Sequence, residues 1–357
     1  MKRKTTRIMI LGSATSVHVQ KFVSIYQQKG FEVIVVTILP DERLKAIQYV
    51  FKSMNRGLSY LKLAFFFPIL VRKIKPDIIH SHYTTFYGFI AAISRYKPHI
   101  LSVYGSDLYK AHGIFNFLNR IALLSAFPIT YDSMNLGKEI EKVIGMDKKK
   151  KRAVLLPFGV NTHIFMKNEI NKTPDRFKVI STRHLEEIYD VKTLIYAIPE
   201  IVKAFPEIDF IVIGNGSQKQ KLEDITKDLG VEGNVHFLGR FSEQKDFIQQ
   251  FVSANIYVST SLSDSTSVSL LEAISSCLVP VITDLPDNLE WIHPEINGFI
   301  FEPKNPVDLT TKIKKAIDNY PKMIEALKEN RNTVIQRASI ENTSKRIYKI
   351  INSLLTS

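Results

Sequence analysis

The feature that most constrains this chain is a unit met near its start: an apolar β-branched run, a small-residue loop, a helical stretch, a glycine and a second apolar run. Arg7–Leu11 leads into Gly12-Ser13-Ala14-Thr15-Ser16, a helix is expected over Val19–Lys29, Gly30 ends it, and Phe31–Leu39 reads FEVIVVTIL. Strand residues alternate between the two faces of a sheet, so a run that is apolar at nearly every position needs cover on both sides. A parallel sheet with helices on each face supplies that cover. The loop at Gly12 is not a full G-x-G-x-x-G, so a dinucleotide fingerprint is absent.

The alternation continues. Pro76–Tyr83 runs from strand into loop. Asn168–Arg176 is polar and carries a proline, as a linker should. Beyond it the pattern restarts, with strands over Phe177–Ser181, Ile208–Ile213, Val235–Leu238, Ile256–Val258 and Val279–Thr283, and helices over Val191–Phe205 and Gln218–Leu229. Strands at this spacing define a second doubly wound parallel sheet. The 357 residues suit two cores of about 170 residues each. We therefore expect an α/β protein with domains over 1–165 and 166–337, followed by an amphipathic helix over Ile340–Leu355.

Composition excludes several classes of function. The single cysteine, Cys277, lies in an apolar Cys-Leu-Val-Pro-Val run, which fits a small core side chain and leaves no disulfide framework or cysteine-rich metal site. No uncharged apolar run reaches the roughly 20 residues of a membrane span. Leu63–Val71 and Ile121–Tyr131 are short, and each contains a proline. The start, MKRKTTRIMILG, holds too few apolar residues for a signal-peptide core, so a cytoplasmic protein is expected. His80 and His82 have no third ligand nearby, and Asp284 and Asp287 have the wrong spacing for an Asp-x-Asp motif. No metal or other cofactor is expected.

Net charge is +13, but it is unevenly spread: residues 1–160 hold 25 Lys/Arg against 9 Asp/Glu, a net +16, and the remainder 23 against 26, a net −3. One half therefore faces a polyanion. Arg43–Lys75 has eight Lys/Arg and no acid, interleaved with Leu44, Ile47, Val50, Phe51, Leu58, Leu61 and Phe65–Phe67. Cations mixed with bulky apolar residues at helical spacing mark an interfacial helix on anionic lipid. A helix packed on its own domain with snorkelling lysines has the same pattern. No RNA-binding module follows, so nucleic acid is not an expected partner. Asp147–Arg152 (DKKKKR) reads as a solvated loop that extends the basic surface.

The chemistry is concentrated in Ser259–Ser276, STSLSDSTSVSLLEAISS. This stretch follows the strand Ile256–Val258, is rich in Ser, Thr and Asp as far as Ser267, and turns apolar and helical from Val268. Strand, polar loop and helix N-terminus together present free amides and a positive dipole to a phosphate. Asp264 lies in the loop and Glu272 inside the helix; at about 1.5 Å rise per residue the pair spans roughly 10 Å, room for a sugar, a diphosphate and a ribose. An Asp-Ser-Thr-Ser start with one exposed Glu is also how many ordinary helices begin. Arg183, directly after Phe177–Ser181, is the best diphosphate candidate, because a guanidinium binds phosphate oxygens in a bidentate fork. Gly214–Gly216 falls at the matching end of the next strand.

The acid-x7-acid spacing of Asp264 and Glu272 resembles the motif of retaining glycosyltransferases of the GT-B fold, the glycosyl transferases group 1, which use nucleotide-sugar donors. The family usually has Glu at both ends and glycines after the first; here Asp264 is followed by Ser265-Thr266-Ser267, which keeps small residues near the phosphates. Gly12 through Ser16-Val17-His18, HSHYTTFYGFIAA, Ile100–Asp107, Val154–Asn161 with Phe165, and Glu290 with Asn297-Gly298-Phe299 and Pro303 resemble family segments in order and spacing. Two positions depart: Tyr104 stands where many relatives have His, and the Lys that usually follows the Arg is missing from Leu185–Asp190, with Lys192 nearby.

The resemblance implies two facing Rossmann-like domains with a cleft between them, and a C-terminal helix (residues 338–357) crossing back to the first domain. It implies transfer of a sugar from a nucleotide-diphosphate donor, UDP-sugar favoured, to a hydroxyl, with retention and without a metal. On the matching residues, Glu272 would hold ribose hydroxyls and Asp264 donor-sugar hydroxyls. Arg183 and the amides of Ser265, Thr266, Ser267 and Val268 would hold the departing diphosphate. Gly12 and Gly216 complete the donor set, and His18, Tyr104, Gly105 and Asp107 face the acceptor. A solvent-exposed histidine near a helix start is the equal alternative for His18, and a helix cap for Asp107. The basic half fits a lipid-linked or cell-envelope glycan acceptor at the inner face of the membrane. A sugar-nucleotide epimerase of the same fold and a catalytically silent partner subunit remain open.

Overall fold

The computed structural model describes residues 5–109, 111–166, 170 and 173–356. Residues 1–4 of the basic start and 168, 169, 171 and 172 of the expected linker lie outside the described residues. The chain forms two compact units, Met1–Pro157 with Ser344–Ser357, and Phe158–Thr343.

The first unit holds strands β1 (Arg7–Leu11), β2 (Glu32–Thr37), β3 (Ile47–Val50), β4 (Ile78–His82), β5 (His99–Val103), β6 (Ile129–Tyr131) and β7 (Ala153–Leu155). They form one parallel sheet in the order β3-β2-β1-β4-β5-β6-β7, with Ile8 paired to Val33 on one side and to Ile78 on the other. Its helices are α1 (Val17–Gln28), α2 (Arg56–Ile74), α3 (Phe89–Ile93), α4 (Ile114–Ser125), α5 (Met134–Ile144) and α6 (Met146–Arg152). Ile8–Leu11, Val35, Val36, Ile78 and Ile79 are fully buried, as the apolar runs require of central strands. The Asp147–Arg152 run, expected as a loop, is the body of α6.

Arg43–Lys75 is not one helix. Ile47–Val50, β-branched and aromatic, adds as a mostly exposed edge strand to β2, and the helix begins only at Arg56, where the Asn55 side chain accepts from the Leu58 amide. One face of α2 (Ser59, Leu63, Phe67, Val71) is buried against its own sheet, and the opposite face exposes Leu58, Leu61, Phe65 and Ile69.

The second unit holds β8 (Lys178–Ser181), β9 (Asp209–Ile213), β10 (Val235–Gly239), β11 (Ile256–Ser259), β12 (Val279–Thr283) and β13 (Phe299–Phe301), all parallel, in the order β10-β9-β8-β11-β12-β13. Its helices are α7 (Val191–Ala204), α8 (Lys219–Asp228), α9 (Gln244–Ser253), α10 (Val268–Ser275), α11 (Pro306–Asp318) and α12 (Tyr320–Ala338). Leu194, Ile198, Leu222, Leu309 and Ile313 build one core layer; Phe251, Leu270, Leu271 and Val334 build the other. Cys277 is a buried part of the first of these.

The division between units falls earlier than the expected boundary at 165. Val160 pairs with Ser339 through backbone bonds to Ala338 and Ile340, and Phe165 packs against Phe251 in the second unit's core. The last helix, α13 (Ile340–Thr356), belongs to the first unit from Ser344 onward. There the Tyr348 hydroxyl donates to the Ile25 carbonyl at 2.5 Å, and its ring meets Phe31 edge-on.

Candidate functional site

Strand order creates a switch point in each sheet. In the second unit β8, β9 and β10 step one way and β11 begins on the other side of β8, so the helices after β8 and β11 leave on opposite faces. A crevice at such a point is where open α/β sheets take ligands. Arg183 comes from the loop after β8 and Asp264 from the loop after β11. The Arg183 Nη2 donates to Asp264 Oδ2 at 2.5 Å, and Nη1 donates to Ser267 Oγ at 2.6 Å and Ser269 Oγ at 3.2 Å. The guanidinium carbon lies 4.5 Å from the centre of the Tyr189 ring, a cation–π contact. The Tyr257 hydroxyl sits 2.7 Å from Ser269 Oγ and completes the shell.

Ser267 stands at the N-cap of α10 with extended backbone, yet its hydroxyl does not cap the helix, because it serves the arginine. Ser265 and Thr266 are buried in the same turn. Ser269 and Glu272 lie three apart on α10 and so share a face, which places half-buried Glu272 one turn beyond the point that Arg183 reaches. Burial pushes the Asp264 carboxyl above its ordinary range; the Arg183 charge pulls it back, and Asp287 adds to the rise. Among the described residues, Ser181 Oγ, Thr182 Oγ1 and Arg183 Nε, on three consecutive residues at the end of β8, are buried without a hydrogen-bond partner.

Gly216 and Gly214 are set by packing. A Cβ at Gly216 would stand 2.2 Å from the Leu185 carbonyl oxygen, and one at Gly214, whose φ is +152°, 2.2 Å from that of Arg183. The two loops are knitted by Leu185 N donating to Asn215 O at 3.1 Å and Gln218 N to Leu185 O at 2.9 Å. Lys192 is exposed and lines a cavity of about 310 Å³ with Leu185, Glu187, Asp190, Lys221, Leu262 and Lys304, to which Arg183 and Asp264 do not contribute. Tyr189, rather than a lysine, is the residue after Arg183 whose side chain meets it.

In the first unit the switch lies between β1 and β4, and His18 and Tyr104 meet there. His18 stacks on Tyr104 with centroids 4.5 Å apart at 16°, and the Tyr104 hydroxyl is 2.6 Å from His82 Nδ1. His80 lies 2.7 Å from the Tyr26 hydroxyl through Nδ1 and 2.8 Å from Ser102 Oγ through Nε2. Burial, then Lys21, lowers His18 to about 3; burial, then His99, lowers His80 to about 3; burial holds His82 well down. The cluster is neutral at pH 7. Asp107 Oδ2 accepts from the Thr84 amide at 2.6 Å and its hydroxyl at 2.9 Å, and Oδ1 accepts from the Tyr104 amide at 3.3 Å. Asp107 therefore ties the loops after β4 and β5 together instead of capping a helix. Gly105, with φ +75°, holds the left-handed conformation that suits glycine. A Cβ at Gly12 would stand 2.8 Å from Val19 Cγ2 and 3.3 Å from His82 Cβ, so this glycine lets α1 close on β4. Within the first unit it lies beside the histidine cluster.

Tyr189, Ser269, Tyr257 and Asp287 carry no signal of their own in the sequence; only the folded loops bring them to Arg183 and Asp264. Among the described residues, no group of three or more His, Cys, Asp or Glu could hold a metal ion. Among the described residues, no helix is long and apolar enough to cross a membrane.

Two doubly wound parallel sheets, each with a switch point, are the architecture of the GT-B fold. Residues 163–334 match the family Glycosyl transferases group 1, and residues 7–133 match Glycosyl transferase 4-like. The chain belongs to the group 1 glycosyltransferases and is a transferase. It is 26% identical over 338 residues to an uncharacterized glycosyltransferase of Methanocaldococcus jannaschii, covering 92% of this chain and 88% of that one. It is also similar to a second uncharacterized glycosyltransferase of that organism, 21% identical over 302 residues, 79% of this chain and 77% of that one. In fold it is similar to Anabaena HepE in complex with UDP, with a TM-score of 0.80 at 16% identity over 98% and 100% of the two chains.

Proposed function

We propose that this glycosyltransferase moves a sugar from a UDP-sugar to a hydroxyl of a lipid-linked or cell-envelope glycan, with retention and without a metal, at the inner face of a membrane. The observation that carries the reading is the Arg183 shell: a guanidinium, an acid and the hydroxyls at the start of α10 converge on the switch crevice. Negative charge builds on the diphosphate as the bond from the anomeric carbon to its oxygen breaks, and donors fixed in advance stabilise it without reorganising. Arg183 and the amides of Ser265–Val268 hold the phosphate oxygens, Glu272 the ribose hydroxyls, and Asp264 the hydroxyls of the sugar. The acceptor oxygen bonds to the anomeric carbon on the face the diphosphate leaves, and its proton passes to the departing phosphate, so no protein base is needed. His18, Tyr104, Gly105 and Asp107 form the acceptor side.

Support for the nucleotide comes from HepE, whose structures hold UDP and UDP-glucose. Support for the membrane comes from α2, whose outer face sets Leu58, Leu61, Phe65 and Ile69 beside exposed Lys62, Arg72 and Lys73. A helix apolar on its outer face as well as its inner one has a second surface to cover.

Titration calorimetry of UDP and GDP against the protein and its Glu272→Ala variant tests the donor site. UDP should bind and lose at least about 10-fold in affinity in the variant, as expected for lost ribose contacts. Binding of neither nucleotide by the intact protein would overturn the reading.

A further inference from the structure

The Arg183 guanidinium is unevenly used. Nε and Nη2 form one fork, which a two-oxygen anion can fill at both teeth. Asp264 fills only one: Oδ2 takes Nη2 at 2.5 Å, while Nε is buried without a partner among the described residues. Among the described residues, the hydroxyls of the two preceding residues, Ser181 and Thr182, are likewise buried and unpartnered. Asp264 is also the more accessible member of the pair, its side chain 22% exposed against 10% for Arg183. An anion entering from the crevice thus meets a carboxylate where its own oxygen would best sit, next to an N–H that nothing satisfies.

Resting on the nucleotide-sugar reading, we infer that Asp264 is an exchangeable counter-ion, which holds Arg183 Nη2 in the empty protein and yields it to the donor diphosphate. No bond is made or broken; one anion replaces another on the same fork. The exchange sets a preference. A displaced Asp264 needs a new partner, which the hydroxyls of a complete sugar nucleotide supply and a bare nucleoside diphosphate does not. After transfer the sugar is gone, Asp264 returns to Nη2, and the leaving diphosphate is expelled. Tyr189 and Ser267 keep the guanidinium plane in place through the exchange, since their contacts are to its face and to Nη1.

Inorganic pyrophosphate, which has neither base nor sugar, is the direct probe. Calorimetry on the intact chain should show that Asp264→Asn binds it at least about fivefold more tightly than the unmodified protein, a difference of about 1 kcal/mol. Asp287→Asn is the control, because Asp287 also acts electrostatically on Asp264; it should change pyrophosphate affinity less than about twofold, as mere removal of a nearby charge would. Asp264→Asn should also melt at a lower temperature when empty and recover more than the unmodified protein when pyrophosphate is added. Asp264→Ser is a second variant with the same expectation should the first not fold. Equal pyrophosphate affinity in the unmodified protein and the Asp264 variants, undetectable binding included, overturns the exchange, as does an equal gain in Asp287→Asn. Pyrophosphate tightening as expected with no binding of UDP or GDP overturns the nucleotide reading alone.

Discussion

A methyl group at Gly216 would stand 2.2 Å from the Leu185 carbonyl oxygen and 2.4 Å from its carbon, and both are backbone atoms. Neither moves aside without dragging the segment that starts at Arg183. Gly216→Ala should therefore cost about 2–3 kcal/mol of stability, the range of a backbone clash with no flexible neighbour to relieve it. It should also weaken UDP binding under conditions where the variant is still folded, because the phosphate ligand shifts with the loop. Urea denaturation and calorimetry measure the two effects; a variant unchanged in both would mean that the loops do not meet as described. At this scale the sequence showed the residues that sit at a strand end or a helix start. Arg183, Asp264 and Ser267 stand at such positions and come together. Tyr189 was not legible, since one aromatic in a polar run gives no sign that its ring will lie under a guanidinium. Nor was the diversion of the Ser267 hydroxyl from capping to Arg183, which depends on a residue 84 positions away.

At the scale of elements, β4 and β5 carry their polar side chains inward. His80 and His99 are 0% and 1% exposed and are held by burial at about 3, against an ordinary 6.5. The unfolded chain takes up these protons near pH 6.5 and the native chain only near 3. The neutral rings thus contribute stability that is complete above 6.5 and lost as pH falls toward 3. Each should remove on the order of 1 kcal/mol per pH unit in that window. Urea midpoints at pH 7 and pH 5, above the ordinary carboxylate range, should show the loss, and His80→Gln should lessen it; a flat profile would mean that the rings gain protons without unfolding. Strands such as β1 and β2 were legible because their apolar runs are long. The segment at Arg43–Lys75 was not, because charge and bulk suggested one helix and concealed the short edge strand at Ile47–Val50. An edge strand needs only one partner and leaves little hydrophobic signature. The inner packing of α2 and its exposed outer stripe were both readable as alternatives, and the helix has both faces at once.

For the whole molecule the decisive asymmetry is electrostatic. Residues 1–160 carry a net +16 and the remainder a net −3, so an anionic surface attracts one half of the chain only. Sequence counting reveals this directly; it does not reveal where the chain divides, which depends on Val160 pairing with Ser339 across the sequence. If α2 lies on lipid, binding must have two parts that separate experimentally. Cations bring the protein to the surface, and that attraction weakens as the screening length falls from about 10 Å at 0.1 M salt to about 3 Å at 1 M. Leu61 and Phe65, 68% and 71% exposed, then enter the interface, a contribution that salt does not screen. Sedimentation with vesicles of phosphatidylcholine, with and without phosphatidylglycerol, should show binding only to the anionic vesicles and a steep loss with salt. Leu61→Ser with Phe65→Ser should reduce the bound fraction at every salt concentration, while the melting temperature stays near that of the unmodified protein, because neither side chain belongs to the core. Binding that is indifferent to both the lipid charge and these two residues would leave α2 a helix that serves only its own domain, and would remove the support for a membrane-bound acceptor.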